Sequence, residues 1–126
     1  METILVVDDE PTILGLCQKM LRLGGYDVTA AATGEEALRF VENKSAEISL
    51  ALLDVMLPGM SGVELATRIR AESPNTTIVL MTGYRPEEIA NVLGNASYPI
   101  IWKPFKTESL LRMVENALGS SPTAST

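Results

Sequence analysis

Asp8, Asp9, Asp54, Thr82 and Lys103 are the side chains whose types and placement can do chemistry together. Each follows a short apolar or β-branched run: TILVV before Asp8-Asp9, LALL before Asp54, TIVLM before Thr82 and PIIW before Lys103. Such runs, bounded by turn residues, read as strands buried on both faces. A carboxylate is costly to bury within one, so Asp54 belongs where its strand emerges, at the carboxyl end. In open parallel sheets that edge binds ligands. Taken singly, each residue has a plainer reading. Asp9 is the expected N-cap of the first helix, Asp54 can start the Pro58-Gly59 turn, Thr82 can be an ordinary strand end and Lys103 a solvated lysine. Together those readings require four independent accidents at one edge.

Three carboxylates close together repel, and they cannot all stay ionised without a cation. The chain has no histidine, and its one cysteine, Cys17, sits at an apolar helical position. Oxygen-only donors select a hard ion such as Mg2+, which keeps waters and completes its shell with phosphate oxygens. Lys103 adds a positive charge for a phosphoryl group, and Thr82 adds a hydroxyl. This set suits phosphoryl transfer, with Asp54 a plausible nucleophile that would become an aspartyl phosphate.

The elements that must position these groups follow from periodicity. Residues 3–7 form the first strand. Pro11 opens a helix with Leu14, Cys17 and Leu21 inward and Ile13, Leu16 and Met20 broadening the face, until Gly24-Gly25 stops it. Residues 27–31 read as a less apolar edge strand. A capping box at Thr33-Gly34-Glu35-Glu36 opens a second helix that buries Ala37, Leu38 and Val41 and fades in Asn43-Lys44-Ser45. Residues 48–53 form the central strand. A second capping box, Ser61-Gly62-Val63-Glu64, opens a third helix with Leu65, Ala66 and Ile69 inward. Residues 77–81 form the fourth strand. Pro86 starts a short fourth helix over 87–93, residues 99–102 form the fifth strand, and Thr107 caps a last helix. Leu110, Leu111, Val114 and Leu118 face inward from it. Five strands alternating with five helices predict an α/β, doubly wound five-stranded parallel sheet.

Bulk properties narrow the partners. A length of 126 residues fits one domain: 1–119 folded, with a small polar tail at 120–126 expected to be disordered. A net charge of −6 with no basic stripe argues against nucleic acid and is compatible with a cation. No run of about 18 apolar residues exists to span or contact a membrane. An unpaired Cys17 and no signal peptide suit a reducing, cytoplasmic setting.

VVDDE at 6–10, LLDVMLPGMSG at 52–62, MTG at 81–83 and KPF at 103–105 occur in one order over roughly residues 3–118. In this the sequence resembles the receiver domains of two-component response regulators. The resemblance implies a flavodoxin-like (CheY-like) strand order 2-1-3-4-5. It implies that Asp54 accepts a phosphoryl group from a histidine kinase or histidine phosphotransfer protein, and that Asp8, Asp9, Asp54 and the Met56 backbone carbonyl hold Mg2+. Thr82 would be the switch hydroxyl and Lys103 the phosphoryl contact, followed by a cis peptide to Pro104. The output would be an altered protein-binding surface rather than enzyme turnover. The setting would be a stand-alone regulator or the receiver of a hybrid histidine kinase. Three positions depart from the family pattern. Ile100 stands where the family usually has an aromatic, so an altered or weak readout is expected. Met56 and Tyr84 stand where a carboxylate or amide would orient water, so slow autodephosphorylation is expected. The alternative is a haloacid-dehalogenase-type phosphohydrolase, but Met56 replaces the second Asp of its DxD. A flavodoxin-like cofactor binder would have its phosphate repelled by Asp8-Asp9-Glu10, and an unphosphorylated structural receiver would not need the intact acidic set.

Overall fold

The computed structural model of the protein describes residues 2–43 and 47–119. In chain order the elements are β1 (Thr3–Val7), α1 (Pro11–Leu23), β2 (Asp27–Ala31), α2 (Gly34–Asn43) and β3 (Leu50–Asp54). They continue as α3 (Gly62–Glu72), β4 (Thr77–Thr82), α4 (Pro86–Leu93), β5 (Ile100–Trp102) and α5 (Thr107–Leu118). The strands form one parallel sheet in the order β2-β1-β3-β4-β5, the doubly wound α/β architecture expected. The expected fade of α2 beyond Asn43 and the tail at 120–126 lie outside the described residues.

Strand alternation divides the core into two layers. Leu5, Val7, Ala51, Leu53, Ile78 and Leu80 face α2, α3 and α4, meeting Ala37, Val41, Leu65, Ile69 and Ile89. Ile4, Val6, Leu50, Leu52, Val79, Met81 and Ile101 face α1 and α5, meeting Cys17, Leu21, Leu110 and Val114. Every residue of β3 is buried, as its position between β1 and β4 requires. Leu53 has no exposed surface, so Leu53→Ala is expected to lower the unfolding free energy by about 3 kcal/mol, measured by urea denaturation.

The differences from expectation have local causes. β3 begins at Leu50 rather than 48, and the Ile48 carbonyl is instead held by the buried Thr76 hydroxyl at 2.8 Å. Pro99 has no N–H, so β5 begins at Ile100, although the Pro99 carbonyl still accepts from Leu80. Asp9 is not the N-cap of α1. Glu10 occupies that position without a side-chain cap bond, and its amide donates to Asp8 Oδ1 at 2.9 Å. Thr107 is likewise the first residue of α5 and not its cap, which is Lys106. Leu16 is 45% exposed, at the margin of the inward face of α1 beside Ile13, Cys17 and Met20. Ser61 caps α3 as expected, but Glu64 pairs with Arg68 one turn on instead of returning to the cap. At α2, Thr33 accepts from the Glu36 amide while Glu36 reaches back to the Ala32 amide.

Candidate functional site

The parallel register brings the ends of β1, β3, β4 and β5 to one edge, and the polar residues gather there. Asp8 follows β1 and is fully buried; its backbone N–H bonds the Ala31 carbonyl, extending the β1–β2 ladder by one residue. Its Oδ1 accepts the Glu10 amide and its Oδ2 the Lys103 ammonium at 2.7 Å. Asp54 ends β3 and is 7% exposed; Oδ1 accepts the Met56 amide at 3.3 Å and Oδ2 the Lys103 ammonium at 3.4 Å. Asp9 is exposed beside them, and one oxygen from each of Asp8, Asp9 and Asp54 lies within 4.8 Å of the others. Lys103 follows β5, its amide bonded to the Thr82 carbonyl at 2.7 Å, and the Lys103-Pro104 peptide is cis.

A cleft of about 400 Å³ opens over this set, lined by Asp9, Glu10, Asp54, Met56, Gly83, Tyr84 and Lys103. Asp8 lies beneath, held by Lys103. Thr82 is fully buried at the end of β4, where its hydroxyl accepts the Tyr84 amide at 3.1 Å; Gly83 and Tyr84 face the cleft in its place. The structure therefore brings Asp8, Asp9, Asp54, Met56 and Lys103 together, with Thr82 adjoining them. Tyr98 and Ile100 pack partly buried against the α4-side core, whereas Trp102 is 41% exposed. Gly62, read in the sequence as a turn and capping-box residue, has a role the sequence did not disclose. A Cβ there would overlap the Asp54 carbonyl group, and its amide bonds the Val55 carbonyl at 2.8 Å. Only the folded chain shows that these two backbones meet.

Electrostatics follow from burial. Desolvation raises Asp54 to about 6; the Lys103 charge and the Met56 amide oppose this, while the Asp8 charge adds to it. Burial pulls the Lys103 ammonium down, but the bond to Asp8 and the charges of Asp54 and Asp8 outweigh it and hold it above its ordinary value. Cys17 is pushed up to about 11, chiefly by burial and then by Asp8, which makes it an inert core thiol.

Asp54 ionises near 3.8 in the unfolded chain and near 6 in the fold, so the cost of its buried charge is absent below pH 3.8, grows through pH 6 and is complete above. Asp54→Asn removes that cost. With a chelator present, the variant is expected to be more stable than the parent by about 2 kcal/mol at neutral pH, a gain that vanishes near pH 4. Thermal melts across pH check it.

The oxygen-only acidic cluster fits a hard divalent cation. Among the described residues no helix is long and apolar enough to cross a membrane.

The family model described as response regulator receiver domain matches residues 4–115. The chain is 38% identical over 127 residues to the Bacillus subtilis alkaline phosphatase synthesis transcriptional regulatory protein PhoP, covering 94% of this chain and 52% of that protein. It spans about half, or less, of the curated relatives it matches. The crystal structure of a CheY-like receiver domain protein from Methanospirillum hungatei superposes with a TM-score of 0.84 at 34% identity, covering 95% of both chains. The response regulator TrrA from Thermotoga maritima, solved in complex with Mg2+ and BeF, superposes with a TM-score of 0.79 at 36% identity, covering 94% of this chain and all of that one. The haloacid-dehalogenase alternative finds no support in these matches. The chain belongs to the response regulator receiver domain family, the phosphoacceptor switches of two-component signalling.

Proposed function

We propose that Asp54 is the phosphoacceptor, that Asp8, Asp9, Asp54 and the Met56 carbonyl hold Mg2+, and that a histidine kinase or histidine phosphotransfer protein is the donor. The observation that carries this reading is one cleft in which an all-but-buried carboxylate faces a paired ammonium and two further carboxylates. Mg2+ bound there would neutralise charge on the phosphoryl oxygens. An Asp54 carboxylate oxygen attacks phosphorus as the bond from phosphorus to the donor imidazole nitrogen breaks, its electron pair staying on the nitrogen. The Met56 amide orients Asp54, and Lys103 offers its ammonium to the incoming group. Asp54 is mostly ionised at neutral pH, as a nucleophile must be.

Thr82 carries the switch. For its hydroxyl to turn toward a phosphoryl group it must leave the bond from the Tyr84 amide, which couples the β4–α4 loop to the state of Asp54. Ile100 in place of an aromatic supports an altered readout along β5. Met56 and Tyr84 line the cleft without a carboxylate or amide of their own, which supports slow autodephosphorylation. The free, buried Cys17 suits a cytoplasmic setting.

Incubation with a small phosphodonor and Mg2+, followed by intact mass spectrometry, tests the proposal. The parent is expected to gain one phosphoryl group, while Asp54→Asn, and the parent with chelator, gain none. An increment that survives in Asp54→Asn overturns the assignment.

A further inference from the structure

Met56 sits between β3 and α3, in a segment that belongs to neither element. Met56 lines the cleft, while Leu57 and Met60 pack against the core layer beneath α2, α3 and α4. Gly59, at φ +77°, turns the chain between these anchors, a conformation that favours glycine. Met60 then lies across Gly34, the buried first residue of α2. A Cβ at Gly34 would stand 3.0 Å from Met60 Sδ and 3.4 Å from its Cε.

Gly34 does not serve the backbone. It has no positive φ, and Thr33 already supplies the helix cap. Glycine in a helix is less favourable than alanine, so its use here needs another reason. What it supplies is room for the thioether.

We infer that the Met60–Gly34 contact is a latch that positions the β3–α3 segment, and through it the Met56 carbonyl, for the cation. Met60 and Gly34 are positioning residues: neither lines the cleft. The latch rests on the reading that Asp8, Asp9, Asp54 and Met56 hold Mg2+. It steadies the one ligand of that set that is a backbone carbonyl, two residues beyond the end of β3.

Calorimetric titration with magnesium chloride alone tests it, on the parent, Gly34→Ala, Met60→Ala, Met60→Leu and the Gly34→Ala/Met60→Ala double variant, each checked for a cooperative melt. Gly34→Ala and Met60→Ala are each expected to weaken Mg2+ binding about tenfold, as loss of a ligand-orienting contact does. Met60→Leu, which keeps the volume, is expected to stay within about twofold of the parent. The double variant is expected to bind no more weakly than Met60→Ala, because the added methyl then has space and the two effects do not add. Parent-like affinity in both single variants, or singles whose losses add in the double, overturns the latch while leaving the cation site standing. A parent that binds no Mg2+ overturns the cation reading and the latch with it.

Discussion

Replacing Lys103 with methionine is expected to lower the unfolding free energy of the metal-free protein by about 3 kcal/mol at neutral pH. The ammonium lies 2.7 Å from Asp8 Oδ2 and 3.4 Å from Asp54 Oδ2, with the three side chains 16%, 0% and 10% exposed. Methionine keeps most of the packing of the lysine stem and removes the charge, leaving two buried carboxylates facing each other. The deficit has a defined pH dependence. It is largest above pH 6, where Asp54 is ionised in the fold, and shrinks toward pH 3.8 as that carboxyl takes a proton in both states. Added Mg2+ is expected to recover part of the loss by supplying the missing positive charge, and more of it than equal concentrations of Na+ recover. Phosphoryl incorporation is expected to fall about a hundredfold even where folding is restored, because the donor proposed for the phosphoryl oxygens is gone. Denaturant titrations with and without Mg2+, paired with phosphodonor labelling, separate the two effects.

Gly62→Ala carries the second large effect. The Cβ it adds meets the Asp54 carbonyl oxygen and carbon and the Val55 Cα, all backbone atoms with no flexible end to move aside. α3 must shift away from β3, and the Val55–Gly62 bond that joins them at 2.8 Å lengthens with it. A loss of about 3 kcal/mol is expected, or a fall of about 10 °C in the thermal midpoint. Labelling of Asp54 is expected to drop as well, since the displaced carbonyl belongs to the proposed acceptor. Gly15→Ala in the middle of α1 is the matching control. A Cβ there meets nothing within 4 Å, so the same substitution is expected to be neutral or to stabilise by about 0.5 kcal/mol.

Much of this architecture is legible in the sequence because buried parallel strands leave a strong signal. TILVV and DVTAA give β1 and β2 with the bounds observed, and the polar residues that follow β1 and β5 and end β3 and β4 do share one edge. What was not legible depends on contacts between distant residues. Asp9 looks like a cap because capping propensity is local, yet Asp8 takes the Glu10 amide because its other oxygen is already fixed by Lys103, 95 residues away. Leu16 reads as widening the inward face of α1, but Leu14, Cys17 and Leu21 define that face and Leu16 lies to its side, 45% exposed. Gly62 and Gly34 carry ordinary turn and helix-start signals. Their need for a missing side chain exists only once β3 and Met60 lie against them. The pairing of Thr82 with its own loop is hidden in the same way, since any strand-end threonine reads as a free hydroxyl.

Borohydride reduction of the phosphorylated protein, followed by peptide mass spectrometry, reads the acceptor directly, because an acyl phosphate on aspartate is reduced to homoserine. Homoserine is predicted at position 54 and at no other aspartate, and only in samples labelled in the presence of Mg2+. Homoserine at Asp8 or Asp9, or a phosphoryl group on a hydroxyl side chain that resists reduction, would contradict the proposed site.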